Sequence, residues 1–97
     1  MKHSKLFIFA IMTTLAVSGC KHQAATYPTD TLTTKNGSQL TITFFKHASL
    51  AIETEGRHIY IDPISQYADY ASLPKADLIL ITHSHYDHLD SAAVAAL

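Results

Sequence analysis

Polar and apolar residues alternate from Gln39 onward. Leu40-Thr41-Ile42-Thr43-Phe44 has the period of two that marks a strand with one buried face. Ser49–Thr54 (SLAIET) reads as a second strand. Arg57–Asp62 (RHIYID) reads as a third, with Ile59 and Ile61 on one face and His58, Tyr60 and Asp62 on the other. Glu55-Gly56 between them predicts a tight hairpin, because glycine supplies the positive φ that such a turn needs. Pro63 has no amide hydrogen to give a ladder and ends the third strand. Residues 64–75 form a connection with helical potential over Tyr67–Leu73, closed by Pro74. Asp77-Leu78-Ile79-Leu80-Ile81-Thr82 breaks the alternation. Its unbroken apolar run predicts a strand covered on both faces, central in a parallel sheet. Asp90 then suits an N-cap, and Ser91–Leu97 begins a helix.

The elements add up to an α/β fold. A hairpin, a crossover, a parallel strand and the start of a helix make half of a layered structure. Residues 39–97 therefore read as the N-terminal part of a larger domain.

Upstream the chain changes character. Met1-Lys2-His3-Ser4-Lys5 is basic, Leu6–Val17 is mostly apolar, and Ser18-Gly19-Cys20 follows, the order of a secretory signal peptide. The apolar run is shorter than the ~20 residues that span a bilayer. Leu15-Ala16-Val17-Ser18-Gly19-Cys20 also resembles a bacterial lipobox. Cleavage after residue 19 would leave Cys20 acylated and the protein anchored to a membrane, on the periplasmic or cell-surface side. Residues 20–38, polar and rich in threonine, read as a tether that ends in a turn at Asn36-Gly37.

Composition removes several function classes. Seven Lys and Arg against eight Asp and Glu give a net charge of −1, with no basic stripe for nucleic acid. One cysteine can form neither an intrachain disulfide nor a thiolate-rich zinc module. Histidine stands out, at seven of 97 residues.

Three of those histidines lie in His83-Ser84-His85-Tyr86-Asp87-His88, directly after the apolar strand. Loops at the C-terminal ends of strands are where α/β proteins place ligands. Imidazole and carboxylate are donors for zinc, and they also suit iron or manganese. In an extended stretch His83 and His85 point to one side and can share an ion. Asp87 and His88 can turn toward a second. Shuffling this composition would produce H-x-H-x-D-H only about twice in a thousand chains, so the motif is specific.

His83-Ser84-His85-Tyr86-Asp87-His88 resembles the signature of the metallo-β-lactamase-fold superfamily. Thr43–Ser49, Ile59–Pro63 and Ala76–Thr82 follow the order seen in its branch of metal-dependent hydrolases. That branch includes proteins similar to the ascorbate-phosphate lactonase and to phospholipase-D-like enzymes acting on N-acylated phospholipids. The resemblance implies a four-layer αβ/βα sandwich with two zinc ions, His83 and His85 on the first, Asp87 and His88 on the second. It also implies two further histidines and a bridging aspartate beyond Leu97. Asp62 matches the aspartate that hydrogen-bonds the metal-site loop, although a strand-ending turn explains it as well. His47 sits where relatives have Gly-His, here with Lys46 in place of the glycine, and belongs either beside the metal pocket or on the surface.

The function implied is hydrolysis of an ester, phosphodiester, lactone or amide bond by a metal-activated hydroxide, with Asp87 as the catalytic carboxylate. The substrate would be a small or lipid-like molecule. Two rival readings stay open: a surface lipoprotein that binds metal without turnover, and a membrane-associated module whose histidines sense pH.

Overall fold

A computed structural model describes residues 25–97. The leader predicted over residues 1–19 and the acylation site at Cys20 lie outside the described residues. Five strands form one sheet in chain order: β1 (Thr29–Thr33), β2 (Gln39–Lys46), β3 (Ser49–Thr54), β4 (Arg57–Ile61) and β5 (Leu78–Leu80). A 3₁₀ turn (Tyr70–Ser72) and a helix, α1 (Ser91–Ala96), complete it.

Within the tether expected over residues 20–38, Thr29–Thr33 forms a strand instead. Thr29–Thr33 pairs antiparallel with β2, Thr29 opposite Thr43 and Thr33 opposite Gln39. Threonine is β-branched and favours extended backbone, so a polar run can pair at a sheet edge without an apolar face of its own. Asn36-Gly37 closes this hairpin, with Gly37 at φ 86° and its N–H donating to the Thr34 carbonyl at 3.0 Å.

The β2–β3 and β3–β4 hairpins follow the alternation. Ile42 faces Ile52, which faces Ile59. Glu55 and Gly56 both take positive φ, as a two-residue hairpin turn requires. β5 runs parallel to β4, Ile59 opposite Leu78 and Ile61 opposite Leu80. Its position differs from the expectation. Among the described residues it is the last strand of the sheet rather than a central one, and Leu78 and Leu80 are nearly half exposed. The paired positions Phe44–Leu50–Ile61–Leu80 and Ile42–Ile52–Ile59–Leu78 lie on that same face. None of these residues is buried. The run Leu78–Ile81 thus carries the apolar surface of a two-sided strand, but only one side is covered here.

The covered side holds the core. Tyr60, Ala68, Tyr70 and Ala93 are buried, with Phe45, Ala51, Leu73 and Tyr27 packed around them. Phe45 and Tyr60 meet Tyr70 edge-to-face, at centroid distances of 5.5 and 5.9 Å. The Tyr60 hydroxyl donates to the Pro74 carbonyl at 2.6 Å, and the Tyr70 hydroxyl accepts from the Ile64 N–H at 3.2 Å. Burial raises the pKa of both phenols. The helical potential of Tyr67–Leu73 contracts to the single 3₁₀ turn, because the stretch between Pro63 and Pro74 must carry Tyr70 back onto the sheet. Asp90 caps α1 as predicted, accepting from Ala92 N at 2.9 Å. Its other oxygen accepts from Ser65 N at 2.8 Å, which ties the helix start to the crossover. These backbone N–H bonds, that from Ser65 first, hold the carboxyl below its ordinary pKa.

Candidate metal centre

The site grows from the ends of β4 and β5. Beyond Ile61 the ladder continues for one step, Asp62 N donating to the Leu80 carbonyl at 2.9 Å. Asp62 then turns into the left-handed region at φ 46° and is completely buried. Its carbonyl accepts from the Ser49 hydroxyl at 2.5 Å, which pins the start of β3 to this corner.

The Asp62 carboxylate faces the histidine loop. Oδ1 accepts from Thr82 N at 2.7 Å, and Oδ2 accepts from Thr82 Oγ1 at 2.6 Å. His88 Nδ1 lies 2.7 Å from the same Oδ2. Burial alone would raise the Asp62 pKa, but the bonds from Thr82 and His88 outweigh it and the net shift is downward. The group is therefore an ionised acceptor. An ionised acceptor places the His88 proton on Nδ1 and leaves Nε2 with a free lone pair. Thr82 Oγ1, having donated to Asp62, can accept from His83 Nδ1 at 3.0 Å, which frees Nε2 of that ring too.

The loop itself is a turn. His88 N and Leu89 N both donate to the His85 carbonyl at 2.9 Å, folding Asp87 and His88 back over His83. The rings of His83 and His88 come to 3.9 Å between centroids, and those of His83 and His85 to 4.6 Å. His83, His85 and Asp87 each bring a donor atom within 4.8 Å of the others. His47, Asp87 and His88 form a second such cluster, with Asp87 common to both. Donors around a tetrahedral ion at ~2.1 Å stand ~3.4 Å apart, inside the 4.8 Å that bounds each cluster, and two imidazoles with a carboxylate are a donor set suited to a divalent cation.

All four residues of the predicted ligand set converge, and Asp62, at the turn that ends β4, is buried behind them. His47 comes to the site from the β2–β3 turn. Tyr86, 91% exposed, projects into solvent, and Ser84 is exposed as well. His58 pairs with Glu53 in the sheet ladder. Thr82 is the residue that the sequence reading missed. It marked only a strand end there, yet its hydroxyl joins Asp62 to two of the rings. Its one sequence signal is its place directly before His83.

The beta-lactamase superfamily domain model matches residues 41–96. A UPF0173 metal-dependent hydrolase of Flavobacterium johnsoniae is 50% identical over 60 residues, covering 56% of this chain and 27% of that protein. One from Aeropyrum pernix is 39% identical over 66 residues, covering 57% of this chain and 25% of its own length. The crystal structure of a candidate metal-dependent hydrolase from Parabacteroides distasonis is similar at a TM-score of 0.72 and 52% identity, over 73% of this chain and 32% of that one. The chain therefore spans about a quarter to a third of the length of these relatives. With the motif match, the fold and the donor clusters in agreement, the chain belongs to the beta-lactamase superfamily.

Proposed function

We propose that the protein is a hydrolase working with two divalent cations, zinc in the first instance, with iron or manganese suiting the same donors. His83 and His85 would hold one ion, Asp87 and His88 the other. The observation that supports this most is the pair of donor clusters meeting at Asp87. Bound there, the cations would acidify a water molecule and offset charge developing on the substrate.

The protein's own residues have defined tasks in this reading. Asp62 and Thr82 fix the tautomers and planes of His88 and His83, so that both rings offer Nε2 without reorganising. Asp87 is the catalytic carboxylate. Its side chain, one-third exposed, belongs to both donor clusters, and a carboxylate oxygen not engaged by a cation would hold the proton released as water attacks. No serine or cysteine nucleophile is needed. The bond cleaved is an ester, phosphodiester, lactone or amide in a small or lipid-like substrate. Acyl chains on Cys20 would place the site at a membrane surface.

The test is hydrolysis by the full-length protein of a chromogenic panel of phosphodiesters, esters, lactones and anilides. Activity on one class should vanish on chelation, return with zinc, iron or manganese, and be lost in His83→Ala. Undiminished turnover after chelation, or in that variant, would refute the proposal. For the anchor, Cys20→Ser should release the protein from membranes in cell fractionation; unchanged membrane retention would overturn it.

A further inference from the structure

We infer that His47, which the ligand assignment proposed above leaves out, donates its Nε2 to the ion held by Asp87 and His88. The inference rests on the two-cation reading and deepens it.

Three observations carry it. First, the donor atoms are spaced as ligands of one ion. His47 Nε2 lies 3.2 Å from Asp87 Oδ2, and His88 Nε2 lies 3.6 Å from that same oxygen. These lengths bracket the ~3.4 Å edge expected between donors of a tetrahedral cation at ~2.1 Å. Second, the His88 nitrogen facing this group is the one that Asp62 leaves free, because Asp62 takes Nδ1. Third, the backbone is built to present His47. It occupies the β2–β3 turn at φ 55°, beside an irregularity in the register between Phe44 and Lys46. Glycine or asparagine would suit this left-handed position better. An unfavoured conformation is kept where surrounding structure over-determines it, typically at a functional site. Here the hydrogen bond from the Ser49 hydroxyl to the Asp62 backbone carbonyl ties the turn to the residue whose carboxylate orients His88.

His47 from the β2–β3 turn thus joins Asp87 and His88 of the loop as a third donor to the second ion position. His47 side-chain exposure of 49% leaves it reachable by an incoming cation.

Zinc titration of the full-length protein against a chelating indicator tests this in wild type, His47→Gln and His47→Gly. Glutamine keeps an N–H able to bond Asp87 but removes the imidazole. Glycine relaxes the left-handed backbone and so preserves folding. Both variants should keep the first equivalent and bind the second at least ~100-fold more weakly, more than a mere supporting hydrogen bond commands. X-ray absorption of the zinc-loaded variants should count one imidazole fewer. Second-site affinity within about threefold of wild type in either variant would overturn the assignment of His47 while leaving the two-cation reading intact. A wild-type protein that takes up no second equivalent would overturn both.

Discussion

Asp62→Asn changes one atom at the most buried point of the site, and its cost follows from the hydrogen bonds there. The amide of the variant keeps an oxygen for Thr82 N, which in the native protein bonds Oδ1 at 2.7 Å. It turns Oδ2 into an NH₂ group facing Thr82 Oγ1 and His88 Nδ1, at 2.6 and 2.7 Å. The Thr82 hydroxyl can rotate to accept. The His88 ring must either flip its tautomer, moving a proton onto Nε2, the nitrogen proposed for the cation, or leave two donors opposed. Hydrogen bonds to charged groups contribute about 1.5–3 kcal/mol each. One is lost outright and another weakened, so metal-free Asp62→Asn should be less stable by about 2–4 kcal/mol. Partners behind a metal-ligating histidine typically govern ~10–100-fold in affinity. Denaturant unfolding of the metal-free full-length protein reads the first quantity, and zinc competition reads the second. Stability within about 0.5 kcal/mol of wild type, the range of an ordinary surface change, together with unchanged zinc affinity, would refute the role given to Asp62.

Two other perturbations follow from the fold. Asp90→Ala removes the cap of α1 and the acceptor for Ser65 N, and should cost about 1–2 kcal/mol by urea unfolding; a loss below about 0.3 kcal/mol would show that the cap is idle. Residues 25–97 produced alone should bind a hydrophobic dye and self-associate through the face bearing Leu78 and Leu80, with Leu78→Lys plus Leu80→Lys reducing both. A monomeric, dye-silent segment would contradict the open-face description.

Most of the sheet was legible because its signals are local. The period of two in β2, the Glu55-Gly56 turn and the Asp90 cap need only near neighbours in the chain. β1 escaped because Thr29–Thr33 has no apolar period, and its pairing depends on a partner strand rather than on its own side chains. The Asn36-Gly37 turn between two extended runs was the signal for that hairpin. For β5, composition gave the parallel pairing but not its place in the sheet, which depends on what lies across the layer. The four candidate donors of the loop were legible because metal chemistry needs those residue types at close spacing. Thr82 was not, since a hydroxyl at a strand end looks the same whether it is solvated or shared between a carboxylate and two rings. His47 lay between these cases: the motif marked it, and only the folded turn brings it to Asp87.

The central claim is that the loop from His83 to His88 is a cation site ordered from behind by Asp62. Elemental analysis of the full-length protein, purified without chelator, tests it most directly. About two equivalents of zinc, iron or manganese per chain are expected, falling to one or fewer in His83→Ala and His85→Ala. A protein that folds normally and carries no stoichiometric metal, however it is loaded, would contradict it.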